Sequence, residues 1–574
     1  MISDSQLAKL ITKHKIVDND TLAELQKQAK TAKKPLWRIL LEKKILTEED
    51  LYENIAKFYS VPFVDLKGQI IRKDILFLIP EPIAQAREVV AFDSTDNILK
   101  VAMLNPTDIE TIEFIKKKTG HEIEVHVTYP KALQEALKQY HKSLKAEFAD
   151  LTEGKAEEKS DQNLKELAED LPVVRIVDTL LEYAIYENAS DIHIEPTEKE
   201  ILVRYRIDGI LRDVMTLPKN AQAGIVARIK ILANLKLDEH RLPQDGRFKI
   251  QNENYKVAFR VSIMPVFDGE KIVMRLLNES NQILTLEQLG FQKKSLNLVK
   301  SNITKPHGMI LVTGPTGSGK TTTLYTILNI LNTPEVNIAT VEDPVEYRMP
   351  RINQSQINPK VGFTFASGLR ALLRQDPDII MVGEIRDLET AEIAVHAAMT
   401  GHLVLSTLHT NDAVSTLPRL QDMGIASFLI ASTTNLIIAQ RLVRKICTDC
   451  IYSYNLSSDT VKELEMRYNI PSILTTLKKE KVIASSEVKL GELLFYRGKG
   501  CKRCNNSGYK GRIGIYEVLE ISPEIQKLIM KKASSKELLD QAIAEGMLTL
   551  IEDGFIKAKN GITTIEEVLR VTKE

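Results

Sequence analysis

Residues 314–321, Gly-Pro-Thr-Gly-Ser-Gly-Lys-Thr, have the residue types and spacing of a phosphate-binding loop. An apolar run precedes them and a run with helical spacing follows, which is the strand–loop–helix context that the motif needs. The glycines let backbone N–H groups turn onto phosphate oxygens, and the helix N-terminus adds a partial positive charge. Lys320 can reach the β- and γ-phosphates, and the Thr321 hydroxyl can hold Mg²⁺. The residues predicted to bind nucleotide are Gly314, Pro315, Thr316, Gly317, Ser318, Gly319, Lys320, Thr321 and Thr322.

Two acidic segments could turn nucleotide binding into hydrolysis. Residues 336–341 read as a strand that ends at Glu342, where a carboxylate would face the ligand crevice of a parallel sheet. Glu342 could orient or deprotonate the attacking water, or it could only cap the following loop. Residues 379–384 follow the second Walker pattern with the usual Asp replaced, so Glu384 is the expected magnesium-side carboxylate, acting through bound water. Arg386 and Asp387 are expected to form local ion pairs.

Two histidines bracket a further apolar strand. His402 lies at its start, and His409 lies at its end beside Thr410 and Asn411, which suit a γ-phosphate sensor loop. A lone histidine is usually structural, but this placement predicts that His409 or His402 contacts the nucleotide region.

An arginine-rich segment with strand-like alternation precedes the phosphate loop. One or two of its arginines could reach a nucleotide as arginine fingers, which neutralise charge on the γ-phosphoryl group, and spacing alone does not choose among them. The candidates are Arg204, Arg206, Arg241, Arg247, Arg260 and Arg275.

The four cysteines form two knuckles, Cys447-x-x-Cys450 and Cys501-x-x-Cys504. Two such pairs in a chain with no visible export signal predict a tetrahedral structural zinc site, with a pair of disulfides or four unrelated thiols as alternatives. Four thiolates leave no open position for water, so the metal would hold a segment in place and perform no chemistry.

Composition narrows the class of protein. A chain of 574 residues is too long for one core, and 77 Lys+Arg against 77 Asp+Glu give no net charge, so the footprint of a dedicated nucleic-acid binder is missing. The start of the sequence has no basic, apolar leader, so no export is expected. The long uncharged stretch, residues 424–440, is polar enough to favour a buried helix over a membrane span.

The order of patterns along the chain predicts an α/β protein of several domains. Leu7, Leu10, Ile11 and Ile16 recur at a constant offset as Leu36, Ile39, Leu40 and Ile45, and Thr47–Asp50 looks like a capping box. The predicted regions are a helical repeat (1–70), a small α/β module (71–145), an acidic linker (146–172), an antiparallel α+β domain (173–290), a core with a parallel sheet around the phosphate loop (291–440), and a cysteine module with terminal helices (441–574).

Together the motifs resemble the secretion ATPase superfamily. Besides the phosphate loop, the matching segments are residues 339–347, 375–387 and 400–412, which correspond to that family's Asp box, atypical Walker B and His box. The resemblance covers residues 173–574 and, more loosely, the N-terminal region. Residues 332–338, 352–362 and 436–444 are more similar to type IV pilus extension ATPases, and type II secretion ATPases are the alternative.

The resemblance implies a RecA-like core preceded by a PAS-like antiparallel domain, in a cytoplasmic homohexamer that uses ATP, Mg²⁺ and Zn²⁺. It implies a catalytic Glu342, a Walker B Glu384, and Arg260 and Arg275 as arginine fingers. It also implies peripheral attachment to the inner membrane through a pilus platform protein and other pilus or secretion assembly components, and no nucleic-acid partner.

The N-terminal repeat resembles a domain that binds cyclic di-GMP in some relatives. Their Arg-Leu-Gly signature is replaced here by residues 6–8, Gln-Leu-Ala, and 35–37, Pro-Leu-Trp. We therefore expect the helical scaffold without cyclic di-GMP binding. Two other classes of function, a nucleic-acid translocase and a nucleotide-binding scaffold without turnover, are disfavoured by the neutral charge and by the two acidic motifs, respectively.

Overall fold

The computed structural model describes residues 7–8, 11–12, 17–32, 36–43, 45–95, 97–140, 171–251, 256–278 and 284–572. Contacts divide the chain into two compact units, Met1–Leu276 and Leu277–Glu574. The predicted acidic linker lies almost wholly outside the described residues, as do Gln6, Leu10, Ile16 and Pro35.

The first unit begins with helices that bury the apolar repeat. Leu7, Ile11, Leu36 and Leu40 are fully buried. The predicted capping box is confirmed, since the Thr47 hydroxyl accepts a hydrogen bond from the Asp50 N–H and the Asp50 carboxylate accepts one from the Thr47 N–H. These helices are α1 (Asn19–Ala32), α2 (Leu36–Glu42) and α3 (Glu48–Tyr59).

A small α/β layer follows in the same unit. β1 (Val89–Thr95) pairs antiparallel with β2 (Ile98–Met103), which pairs parallel with β3 (Glu122–Val127). The two strands predicted here are confirmed. The helices are α4 (Lys73–Leu76), α5 (Glu81–Arg87) and α6 (Ile109–Thr119), and residues 130–140 are also helical.

The rest of the first unit is a six-stranded sheet of order β6-β5-β4-β9-β8-β7. Its strands alternate buried apolar and outward polar residues, as predicted: Val203 and Tyr205 are buried, whereas Arg204 and Arg206 lie on the other face. The elements are α7 (Leu171–Tyr186), β4 (Asp191–Pro196), β5 (Glu200–Ile207), β6 (Ile210–Pro218), α8 (Gln222–Leu232), β7 (Gln244–Gln251), β8 (Lys256–Val266) and β9 (Gly269–Asn278).

The second unit is built on a seven-stranded sheet of order β12-β11-β13-β14-β10-β15-β18. All its pairs are parallel except β15 with β18, and β10, β11, β13 and β14 are buried along their whole length, as expected for a sheet covered on both faces. The strands are β10 (Gly308–Thr313), β11 (Ile338–Glu342), β12 (Ile352–Gln356), β13 (Ile379–Val382), β14 (Leu403–Leu408), β15 (Thr434–Ile446) and β18 (Tyr509–Glu520). The predicted parallel core is confirmed.

Helices cover this sheet and extend it towards the C-terminus. They are α9 (Leu286–Leu289), α10 (Lys293–Ile303), α11 (Lys320–Leu331), α12 (Phe365–Leu372), α13 (Leu388–Met399), α14 (Thr416–Asp422), α15 (Ser427–Thr433), α16 (Ser458–Arg467), α17 (Ile470–Lys479), α18 (Pro523–Met530), α19 (Ser535–Ala544), α20 (Leu550–Lys559) and α21 (Ile565–Thr572). A two-stranded ribbon, β16 (Ile451–Asn455) with β17 (Leu494–Gly498), follows the first cysteine knuckle.

Two expectations need correction here. The uncharged stretch, residues 424–440, holds the short helix α15 and half of strand β15, not one buried helix. The predicted boundary at residue 440 falls inside β15, because that strand continues to Ile446 and pairs with β18.

Among the described helices, none has the length and apolar character needed to span a lipid bilayer.

Candidate functional site

The phosphate-binding loop joins β10 to α11, and Gly319 is the N-cap of that helix. Gly314, Gly317 and Gly319 have φ angles of 142°, 79° and 91°, in the region that side chains other than glycine rarely adopt. Pro315, Thr316 and Gly317 are exposed at the tip, whereas Ser318 is buried. The backbone therefore makes the open concave turn that the sequence predicted.

The Lys320 side chain lies along this loop. Its Nζ donates hydrogen bonds to the carbonyl oxygens of Gly314, at 2.8 Å, and Pro315, at 3.3 Å. Burial lowers the pKa of the ammonium group, and the Glu384 carboxylate opposes that shift. The next residue, Thr321, is half-buried and Thr322 is exposed. The lysine is thus held over the loop mouth by weak acceptors that an anionic ligand can replace.

Glu384 follows β13 and faces the end of β14. The Thr407 hydroxyl donates to the Gly383 carbonyl at 2.7 Å, and the Ile385 N–H donates to the Thr407 carbonyl, which fixes the backbone on both sides of the acid. The Glu384 carboxylate forms an ion pair with Arg386 and lies 3.4 Å from His409 Nε2. Glu384 and His409 therefore come together, as do Glu384 and the charge of Lys320.

The expectation for Asp387 is wrong. Its carboxylate is the N-cap of α13 and accepts a hydrogen bond from the Thr390 N–H at 2.8 Å, whereas Arg386 does form the local ion pair that was expected.

A chain of hydroxyl groups joins the His409 loop to the strand before the phosphate loop. The Thr313 and Thr410 hydroxyls are 2.6 Å apart, and the Thr410 and Thr416 hydroxyls are 2.8 Å apart. The Thr410 N–H also donates to the Thr313 hydroxyl at 2.9 Å. Because Thr313 immediately precedes Gly314, these hydrogen bonds link the loop that follows β14 to the start of the phosphate loop.

Glu342 does not stand open to the loop as the sequence suggested. It is 2% exposed, and it accepts hydrogen bonds from the hydroxyls of Tyr325 and Thr340 and from the Gln354 amide at 3.2 Å. Burial raises the pKa of its carboxyl group, while these donors act in the opposite direction. The carboxylate is engaged inside the layer between β11 and α11, and the assignment of Glu342 as the water-activating residue stays a prediction.

Replacing Glu342 with glutamine should therefore lower stability first. The new NH₂ group would replace one of the two oxygens, so it would face either the Tyr325 hydroxyl or the Thr340 hydroxyl and the Gln354 amide, which now donate to Glu342. Mispaired buried groups of this kind cost about 1–3 kcal/mol. We expect the midpoint of thermal unfolding to fall by about 3–8 °C, with the exposed Glu335→Gln as the control. An unchanged midpoint with turnover lost would instead support a role for Glu342 in the chemical step.

The structure places His402 away from the phosphate loop of the same chain. The parallel register places Leu403 beside Gly308 and Leu408 beside Thr313, so His402 lies at the opposite end of the strands from the phosphate loop. Five residues of strand separate the two ends by about 17 Å. The imidazole Nδ1 instead lies 3.0 Å from the Ala397 carbonyl, at the end of α13.

The two predicted arginine fingers lie in the first unit and differ in their surroundings. Arg275 on β9 is held by Asp191, with Nε 2.9 Å from Oδ1, and keeps 55% of its side chain exposed. Arg260 on β8 is exposed and lies directly across from Arg247 on β7. Like charges in directly opposed positions destabilise a strand pair.

The four cysteine sulfurs lie within 4.8 Å of one another. The Sγ–Sγ distances are 3.7 Å for Cys447–Cys501, 3.9 Å for Cys450–Cys504 and 3.6 Å for Cys501–Cys504. Tetrahedral zinc with Zn–S bonds of about 2.3 Å separates its sulfurs by about 3.8 Å. The geometry fits a four-thiolate zinc site, and no disulfide joins these cysteines.

Backbone N–H groups prepare one of the thiols for a metal. Burial alone would raise the pKa of Cys504, but its sulfur accepts hydrogen bonds from the N–H groups of Cys501, at 3.2 Å, and Gly508, at 3.3 Å, and its pKa falls to about 7. Thiolate is the form that binds zinc.

Sequence reasoning missed Tyr325 and Thr313, which form hydrogen bonds with Glu342 and with Thr410, respectively. The signal for Thr313 was a polar residue that ends an otherwise apolar strand. Tyr325 carried no local signal, since it has an apolar position on α11 and only the tertiary fold brings Glu342 to it.

Comparisons with known proteins give family models and a solved structure that match the chain. Residues 166–570 match the family model described as type II/IV secretion system protein, and residues 59–147 match the MshEN domain model. The crystal structure of the Yersinia pseudotuberculosis ATPase DotB is similar with a TM-score of 0.50 and 23% identity, over 70% of this chain and 93% of that one, which supports the fold alone.

Relatives match over nearly the whole sequence. The type IV pilus assembly ATPase PilB of Myxococcus xanthus is 40% identical over 98% of both chains, and PilB of Pseudomonas aeruginosa is 40% identical over 99% of both. The type II secretion system ATPase E of Vibrio cholerae is 45% identical over 72% of this chain and 78% of its own. A family match across most of the chain, together with a well-formed phosphate loop, leads to one conclusion: the chain belongs to the type II/IV secretion system protein family and is a P-loop ATPase.

Proposed function

We propose that this chain hydrolyses ATP to power type IV pilus assembly. The observation that carries the proposal is the 40% identity to two type IV pilus assembly ATPases over essentially their full length. Service to a type II secretion system is the second candidate, favoured by the 45% identity to the Vibrio cholerae ATPase over a shorter span.

In the proposed reaction, loop amides and Lys320 would hold the β- and γ-phosphates, and Thr321 would bind Mg²⁺, which would neutralise charge on those phosphates. Glu384 would hold the same ion through water, and His409 beside it would respond to the γ-phosphate. The closeness of the Lys320, Glu384 and His409 side chains supports these roles. Loss of the γ-phosphate would free His409, and the Thr410–Thr313 bond would carry that change back to the loop.

We further propose that the chain acts as a homohexamer on the cytoplasmic side of the inner membrane, bound there to a pilus platform protein. Arg260 and Arg275 would serve as arginine fingers. The exposure of both guanidinium groups on an arginine-rich face supports that role. Zinc would be held by Cys447, Cys450, Cys501 and Cys504, whose sulfur spacing supports it.

Removing either finger should slow hydrolysis more than it weakens ATP binding. A finger acts on charge that develops in the transition state, so Arg260→Ala and Arg275→Ala should each lower kcat by about 100-fold or more and change the Kd for ATP by less than about threefold. The exposed Arg38→Ala is the control. Equal losses of affinity and turnover would mark that arginine as a ground-state clamp instead.

Deleting the gene in the source organism tests the proposed function. Wild-type chain should restore surface pili seen by electron microscopy, and the Lys320→Ala variant should not. Normal pili in the deletion strain, with secretion of exoproteins lost, would move the assignment to type II secretion.

A further inference from the structure

Gln440 is a buried amide in the middle of strand β15, directly after an apolar run. It lies on β15, next to β10, and follows Leu436, Ile437, Ile438 and Ala439, which are all fully buried. The residue itself is 1% exposed. Burying an amide without hydrogen-bond partners costs free energy, so the hydrogen bonds of the Gln440 side chain explain how this position tolerates a polar residue.

The side chain of Gln440 forms hydrogen bonds with the phosphate loop and with its helix, α11. Nε2 donates a hydrogen bond of 2.7 Å to the Ser318 carbonyl oxygen, and Oε1 accepts one of 2.8 Å from the Thr323 hydroxyl. The Ser318 carbonyl determines which terminal atom of the amide is the nitrogen, because only the NH₂ group can donate a hydrogen bond to a carbonyl oxygen.

The loop glycines are shaped to fit against the same residue. A Cβ on Gly314 would lie 2.5 Å from the Gln440 carbonyl oxygen, and one on Gly319 would lie 3.2 Å from Nε2. The loop can approach β15 this closely only because both positions lack a side chain. Gln440 is therefore part of the wall on which the loop is formed.

The Ser318 bond controls the direction of one loop amide. In a planar trans peptide, the Ser318 C=O and the Gly319 N–H point in opposite directions. A donor that holds the Ser318 oxygen towards β15 thus holds the Gly319 N–H towards the other side, where the loop amides meet a phosphate. We infer that Gln440 is a positioning residue for the phosphate groups of a nucleoside di- or triphosphate, acting through the Ser318–Gly319 peptide. The inference rests on the proposed nucleotide site.

The variant Gln440→Met tests it, because methionine fills a similar volume without a donor. The full-length chain is titrated with ADP and with ATP in the presence of Mg²⁺, and turnover is measured at saturating ATP. We expect the Kd for ADP to rise about tenfold, as for a lost hydrogen bond that leaves a buried carbonyl unpaired, with kcat reduced less than about threefold. Unchanged affinity with a lower thermal midpoint would make Gln440 a packing residue and overturn the inference.

Two further variants separate the amide's two ends. Thr323→Val removes the bond to Oε1 and keeps the bond to Ser318, so its Kd for ADP should stay within about twofold of wild type. Gln440→Glu can donate to Ser318 only when protonated, so its affinity should improve from pH 8 to pH 6 relative to wild type at each pH. A loss in Thr323→Val as large as that in Gln440→Met would contradict the role of the Ser318 peptide.

The same titrations distinguish this inference from the proposed function. Absence of ADP binding by the wild-type chain would contradict the proposed nucleotide site itself. If the wild-type chain binds ADP and Gln440→Met binds it equally well, only the role proposed for Gln440 would be contradicted.

Discussion

Replacing Lys320 with alanine is expected to lower ATP turnover by about 1,000-fold, the upper end for loss of one electrostatic stabiliser. The ammonium group lies over the loop, bound to the Gly314 and Pro315 carbonyls, and these weak bonds are exchanged for phosphate oxygens when nucleotide enters. Without it, the charge that builds on the transferred phosphoryl group has no cation from the loop. Phosphate release at saturating ATP measures the effect.

The exposed Lys305→Ala is the matched control and should turn over like wild type. Lys320→Arg should not rescue, because a planar guanidinium cannot take the place of a compact ammonium group. Turnover near wild type in Lys320→Ala would separate this loop from hydrolysis.

The second large effect concerns the cysteine module. Cys504→Ser should release the zinc and unfold part of the second unit, because metal binding and local folding are coupled and structural zinc contributes on the order of 10 kcal/mol in isolated peptides. Elemental analysis should give one zinc per chain in wild type and almost none in the variant.

The damage should extend beyond the cysteines themselves. Leu477 and Phe495, which lie between the two cysteine pairs, share a buried cluster with Leu548 and Phe555 of the C-terminal region. Hydrogen exchange should therefore rise in residues 447–508 and also in α20, while β10 and α11 stay protected. The exposed Ser453→Ala on β16 is the control. Wild-type protein purified without chelator that holds no metal, with four freely titratable thiols, would contradict the zinc assignment.

Local sequence patterns predicted the parallel core. The phosphate loop, the apolar strands and the alternation of strands with helices can each be recognised within a short stretch of sequence. The same windows located Glu342 correctly at a strand end, yet they missed its surroundings, since Tyr325 and Gln354 reach it from α11 and β12. A buried carboxylate at the end of a strand can face ligand or the protein interior, and only packing decides between them.

The place of His402 in the sheet was predictable from the sequence. In a parallel sheet, the residues that follow the strands all lie at the carboxyl ends of the strands, and the residues that precede them lie at the amino ends. His409 follows its strand as the phosphate loop follows β10, whereas His402 precedes it. Gln440 gave a signal of the same kind, one amide inside an apolar run, but its partner Ser318 lies 122 positions away in the chain.

The return of β18 to the core sheet has a consequence for how the chain folds. Ile446 and Tyr509 form the last pair of the β15–β18 ladder. Ile446 directly precedes Cys447, and Tyr509 follows Cys504 after a short turn, residues 505–508. Once a metal joins Cys447 to Cys504, the loop that β18 must close shrinks from about 60 residues to about 5, which reduces the entropic cost of closure by about 2 kcal/mol. A metal bound at this module would thus lower the entropic cost of pairing β18 with β15, the step that adds the last strand to the core sheet.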